Sequence, residues 1–261
     1  MKRTHPVIAA AAAILLLATA ASADTLVEKM DKTYPLEART VSVENVNGSV
    51  EVAVWDRAEV RVEAEKRVRG ARREATADAL KSVRIEVEQT STALRIRTRY
   101  PKHNGLDFFD MFTNDQVNAS VNYRITVPRS ARVEVDTVNA SIKVAGVQGG
   151  TTAETVNGSI DVTGAGPFNA STVNGSIDAA LSNVPAGKLS ASSVNGRIRL
   201  ALPAALKANV EVSTVNGKIT SDIPVTTRVL SKRSMKGSMN GGGGVDLAIS
   251  TVNGSVTIDP I

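Results

Sequence analysis

Thr172-Val173-Asn174-Gly175-Ser176-Ile177 is one of six close copies of a single hexapeptide, and the recurrence of these copies decides the architecture. The copies centre on Asn47, Asn157, Asn174, Asn195, Asn216 and Asn253. Two variants, around Asn118 and Asn139, carry Ala in place of Gly. A degenerate pentamer, Met235-Lys236-Gly237-Ser238-Met239, divides the long interval between Asn216 and Asn253 and reads as a ninth copy, with Lys236 replacing Asn and its ammonium in solvent. From Asn118 onward the spacings are then 21, 18, 17, 21, 21, 20 and 17 residues. Self-similarity at such a period marks a solenoid or strand array, in which each unit buries its apolar face against the next.

Each repeat has the same internal parity. Counting from Asn as zero, apolar or small residues stand at −6, −4 and −2, then at +3 and +5, as in Leu247, Ile249, Thr251, Val256 and Ile258. A period of two indicates half-buried strands. The parity slips by one residue across Asn-Gly, as a tight corner requires, and Gly tolerates positive φ there. Two architectures satisfy this pattern. Asn-Gly between alternating strands is a strong hairpin signal, so a meander of hairpins is one. The other is parallel stacking of 17–21-residue coils, which places Asn over Asn and Val over Val. Stacking is preferred, because a meander does not require every turn to repeat its flanking side chains. The expected fold is all-β: a β-solenoid with a structural ladder of Asn47, Asn118, Asn139, Asn157, Asn174, Asn195, Asn216 and Asn253, its amides about 4.8 Å apart, with Asn157, Asn174, Asn195 and Asn216 on adjacent coils and the Asn253 coil last.

The chain divides into three parts. Residues 1–23 have a basic start, an apolar run from Val7 to Ala20 and Ala21-Ser22-Ala23 before Asp24, the pattern of a secretory signal peptide. The apolar run falls short of the roughly 20 residues needed to span a bilayer. Residues 24–116 read as a β-rich region: a lead-in ending in a strand at 40–44, alternating strands over 50–68, a surface helix near 69–82, and strands around Val83–Val87 and Leu94–Thr98. Residues 117–261 carry the solenoid repeats. Within the loop 101–116, Phe108, Phe109 and Phe112 are three of the four phenylalanines of the chain. They either cap an open solenoid end, as terminal coils require, or serve as a contact site, since clustered aromatics anchor partners.

Composition narrows the functional classes. Cleavage after Ala23 leaves 238 of the 261 residues and lowers the formal charge from +5 to +3. Aromatics are 3% and the basic residues are well mixed with acids, which argues against nucleic-acid binding. There is no cysteine, and one histidine, His103, outside the leader. Cys-His pairs and clusters of His or Cys zinc ligands are therefore excluded. Ser49, Ser159, Ser176 and Ser255 follow Asn-Gly, but no base recurs at a fixed offset, so they read as corner residues. Asp161 and Asp178 share position +4, but Arg199 and Thr220 follow them, and no calcium-binding repeat is present. No cofactor or metal is expected.

The iterated Thr-Val-Asn-Gly-Ser-Ile behind a signal peptide resembles the bacterial "putative adhesin" domains of unknown function, over about residues 40–261. That resemblance implies an exported β-solenoid at the periplasm or cell surface and supplies no catalytic residues. The long segment between Asn47 and Asn118 departs from it. The expectation is thus a non-enzymatic envelope protein for binding or scaffolding, with an envelope glycan, a lipid surface or another envelope protein as partner. Two alternatives stand beside it: an envelope-stress sensing protein, and a carbohydrate-active enzyme on a β-helix, which needs two carboxylates facing one groove.

Overall fold

Residues 25–36, 39–70, 73–100 and 118–261 are described by a computed structural model. The N-terminal part contains β1 (Thr25–Pro35), β2 (Thr40–Glu44), β3 (Val50–Trp55), β4 (Glu59–Arg69), helix α1 (Arg73–Ser82), β5 (Arg84–Gln89) and β6 (Ala93–Arg99). There follow β7 (Asn118–Pro128), β8 (Arg132–Asp136), β9 (Ile142–Val147), β10 (Thr151–Asn157), β11 (Ile160–Ala165), β12 (Phe168–Asn174), β13 (Ile177–Asn183), β14 (Gly187–Asn195) and β15 (Ile198–Leu202). The C-terminal part is β16 (Ala208–Asn216), β17 (Ile219–Ser221), β18 (Val225–Leu230), β19 (Ser234–Met239), β20 (Val245–Asn253) and β21 (Val256–Pro260).

These strands form two sheets. One runs β1-β4-β7-β3-β9-β11-β13-β15-β21-β17, the other β18-β19-β16-β20-β14-β12-β10-β8-β2-β6-β5. The copies at Asn47, Asn139, Asn157, Asn174, Asn195, Asn216 and Asn253 each place the strand before the Asn in the second sheet and the strand after the corner in the first. Like positions pair in parallel: Asn157 with Asn174, Asn174 with Asn195, and Ile160 with Ile177 and then Ile198. Stacking, not a hairpin meander, is thus the arrangement. Both sheets continue through the boundary expected near residue 117, because β2 and β3 lie directly on β8 and β9.

The core is made of the residues whose parity the repeat dictates. Ile142, Ile160, Ile177 and Ile198 stack at +3 with at most 1% exposure, and Ala153, Ala170 and Ala191 stack at −4. Each large aliphatic side chain so buried contributes about 1.5–3 kcal/mol, and the stack repeats that contribution coil by coil.

Three sequence expectations are corrected. The pentamer around Lys236 is no coil corner. Residues 234–239 form β19, antiparallel to β16, and Lys236 lies on its solvent face 2.6 Å from Glu211. Secondly, the last coil does not sit at the end. β20 pairs with both β14 and β16, and β21 with both β15 and β17, so the Asn253 coil is inserted between those of Asn195 and Asn216. Ala208, at the start of β16, is flanked by Met239 on one side and Val245 on the other. The stretch 240–244 must therefore cross the end of β16 in five residues, and all five have φ between 47° and 86°. Asn240 holds this crossing by donating to the carbonyls of Ala204 and Leu206 at 2.9 Å. Glycine is needed here because L side chains rarely enter that region. Thirdly, residues 25–35 are no simple lead-in: β1 pairs antiparallel with β4 along its whole length. The helix also starts later than expected, because β4 continues to Arg69, and its Ala75, Ala79 and Leu80 pack on the core.

Candidate functional site

The repeat corners build one continuous ridge. Side-chain amides run along it in one direction: Asn216 donates from Nδ2 to Asn253 Oδ1, then Asn253 to Asn195, Asn195 to Asn174, Asn174 to Asn157, Asn157 to Asn139 and Asn139 to Asn47, all at 2.7–2.9 Å. Asn47 ends the row by donating to the Ala119 carbonyl at 3.3 Å. Asn118, expected in the ladder, is not part of it. It opens β7 directly and pairs with Arg69.

Glycine at the corner answers a close approach rather than a positive φ. Of the six glycines in Asn-Gly corners, only Gly48 has φ in that region. A Cβ on Gly175 would penetrate the carbonyl of Gly158, and Gly196 and Gly254 repeat this relation with the coil below. The Thr or Ser at −2 points inward and satisfies those same carbonyls: Thr172 Oγ1 donates to Gly158 O at 3.0 Å, Ser193 to Gly175 and Thr251 to Gly196 at the same distance. The first two coils differ. Beside the altered Gly48 corner, the buried Thr137 hydroxyl and Asn45 Oδ1 have no hydrogen-bond partner.

Val at −1 faces out. Val156, Val173, Val194 and Val252 are 39–40% exposed and Val215 52%. These form an apolar row beside the amide row, one methyl pair per coil. Each interior amide uses one N–H and one oxygen lone pair within the ladder. The other N–H remains available, so the ridge displays donors at the strand spacing of about 4.8 Å. The corner serines are also structural neighbours, with Ser176 Oγ donating to Ser159 Oγ at 3.2 Å.

The flat sheet faces carry charge. At +4, Glu51, Lys143, Asp161, Asp178 and Arg199 lie in register, so Asp161 and Asp178 belong to a mixed row. Sequence reading missed a second row at −3, where Glu44, Asp136 and Glu154 occupy neighbouring strands. Partial burial, then repulsion from Glu154, Glu44 and Glu134, raises the Asp136 carboxyl above the ordinary carboxylate range. Arg97 Nε binds Glu44 at 2.9 Å at the end of this row. Among the described residues no group of three or more His, Asp or Glu is placed to hold a metal ion. Two shallow depressions open on the other sheet, one of about 430 Å³ beside Lys29, Asp31 and Glu63, and one of about 290 Å³ over Asp161, Asp178 and Arg199. Burial raises Tyr100, beneath the Asn47 carbonyl, to about 12. Phe108, Phe109, Phe112 and His103 lie outside the described residues.

Residues 18–259 match the family model described as Toastrack DUF4097. In three dimensions the chain is similar to a "putative cell adhesion protein" from Clostridium sporogenes ATCC 15579, with 12% identity and a TM-score of 0.51 over 90% of this chain and 100% of that one. A "putative adhesin" from Bacteroides fragilis NCTC 9343 has 9% identity and a TM-score of 0.33, over 88% of this chain and 97% of its own. At such identities the first likeness shows the fold alone, and the second carries no argument. Among curated proteins none matches. The family match spans both sheets and every coil, and the chain belongs to the Toastrack DUF4097 family.

Proposed function

We propose that this chain is a non-enzymatic, exported envelope protein that binds or scaffolds an extended polymer along its corner ridge. The observation that carries this reading is the unbroken row of seven hydrogen-bonded asparagines beside five exposed valines. Donors held by a shared ladder are pre-organised, so a linear ligand meets them without ordering them first. A glycan strand fits because its hydroxyls recur along one line; a lipid surface or a second envelope protein would use the valines more than the amides. Export is supported by the leader pattern of residues 1–23.

Binding to isolated envelope glycan is the direct test. Replacing Val173 and Val252 by Glu and Val194 by Lys puts charge along the apolar row without like charges on neighbouring coils, keeps every ladder amide, and should abolish retention with little change in melting temperature. Full retention by this variant overturns the reading. Recovery of the protein outside the cytoplasm with Asp24 at its N-terminus tests export.

The glycosidase alternative would need a carboxylate pair in a groove. Glu44, Asp136 and Glu154 instead sit on a sheet face, outside both depressions described above. Phe108, Phe109 and Phe112 are proposed as a second contact or a cap. Replacing all three by Ser lowers stability if they cap, and lowers envelope association alone if they bind.

A further inference from the structure

We propose that β18 is a docking edge for an extended acidic peptide segment of a partner, which adds to it as a further antiparallel or parallel strand. The sheet order makes β18 the outermost strand at one end, with β19 as its only strand neighbour among the described residues. Its free edge therefore offers a run of backbone donors and acceptors, the template for strand addition.

Edges elsewhere are protected. β5, at the opposite end of the same sheet, is laced to β6 by Glu86–Arg99 at 3.1 Å. β1 is held by Asp31–Arg61 at 2.6 Å and Glu28–Lys66 at 2.8 Å, and β17 has only three residues. β18 is six residues long and has no cross-strand ion pair among the described residues; its only edge charge is Arg228, at a bulge. Five of its six residues are exposed, with Val229 at 49% and Leu230 at 70%.

Charge identifies the occupant. Residues 223–245 contain Arg228, Lys232, Arg233 and Lys236 and no acidic residue. Lys236 is satisfied by Glu211. Arg228, Lys232 and Arg233 form no ion pair among the described residues. Arg228 is the extra residue of a bulge, skipped in the pairing between Thr227 and Val229, so it is not committed to β19. Val229 and Leu230 point to opposite faces of the sheet, so a strand alternating acidic and apolar residues would cover one of them with its apolar face and turn its acids toward the cations. A second copy of this edge would instead bring three cations of each copy onto one seam, which like-charge repulsion disfavours.

The test uses the full chain and capped synthetic peptides of about eight residues, the length of an ordinary strand, alternating Val with Glu or Val with Lys. The Glu peptide should bind and slow amide exchange in 225–230. Its affinity should fall at least tenfold for Arg228→Glu/Arg233→Glu, and for the same peptide N-methylated at alternate residues. Both positions are exposed, and an unchanged melting temperature verifies folding. Equal binding of the methylated peptide overturns strand addition. Equal binding of the Lys peptide overturns the charge assignment. Anionic phosphatidylglycerol vesicles that protect 225–230 when the Glu peptide does not would reassign the surface to a membrane. Concentration-dependent dimers abolished by the double variant would reassign it to a second copy.

Discussion

Asn253 donates its side-chain N–H to Asn195 at 2.7 Å across 58 positions of sequence, while Asn216, only 21 residues after Asn195, reaches the ladder through Asn253. The last coil is therefore a wedge between two coils that precede it. In the sheet order β20 separates β16 from β14.

Cooperativity follows from that wedge. Ile249→Ala, at a buried site between Ala191 and Val212, should cost about 2–5 kcal/mol. Hydrogen exchange should show β16, β19 and β20 losing protection together. Retained protection in β16 would mean that it docks independently of the last coil.

Corner glycines should be intolerant for a packing reason. Gly175→Ala drives a Cβ into the Gly158 carbonyl and should cost about 3 kcal/mol or more. At the naturally substituted corner, Ala140→Gly should cost only about 0.5–1 kcal/mol. Chemical denaturation of the two variants measures the contrast.

The −2 hydroxyls should separate into two classes. Thr172→Val removes a donor to the partly buried Gly158 carbonyl and should cost about 1–3 kcal/mol. Thr137→Val removes a buried hydroxyl that has no partner and should be neutral or stabilising. Melting temperatures of the pair decide it, and equal losses would refute the distinction.

Ladder amides should matter less than buried bonds. Asn195→Leu removes two side-chain hydrogen bonds, one donated and one accepted, and Asn216→Leu only one. At about 0.5–1.5 kcal/mol each, the first should destabilise about twice as much as the second. Water competes for these exposed amides, so both values should fall in the lower part of that range.

Asp136 should weaken the fold near neutral pH. Its carboxyl is raised in the folded state, so the folded chain holds that proton more tightly than the unfolded chain. The associated stability is present at low pH and is lost as pH rises through the folded value. Asp136→Asn should therefore raise the melting temperature at pH 7, with the gain closing below about pH 4, the ordinary carboxylate range. A gain independent of pH would point to packing instead.

Much of the fold was legible because the solenoid is written in local pattern. Parity at −4, −2, +3 and +5 names the core residues of each coil, and identical flanks imply that like stands on like. The role of glycine was legible only as a corner. Close approach to the coil below, rather than backbone handedness, is a relation between residues about twenty positions apart. The −3 acidic row was hidden for the same reason: Glu44, Asp136 and Glu154 are neighbours only after β2, β8 and β10 pair.

The sequence by itself determined the repeat unit and its inward and outward faces, because period-two burial and a fixed corner are local properties; it favoured stacking over a hairpin meander, and the parallel pairing of Asn on Asn decided between them. Only the tertiary structure decided the order of the coils at the C-terminal end. Asn216 and Asn253 carry the same flanks, so either could stack on Asn195 by side-chain pattern alone. The choice depends on the antiparallel β18–β19 pair and on a glycine run able to cross the end of β16, and so on chain geometry that no repeat encodes. Asn118 was decided in the same way: its flanks match the ladder, but it pairs with Arg69 at the start of β7.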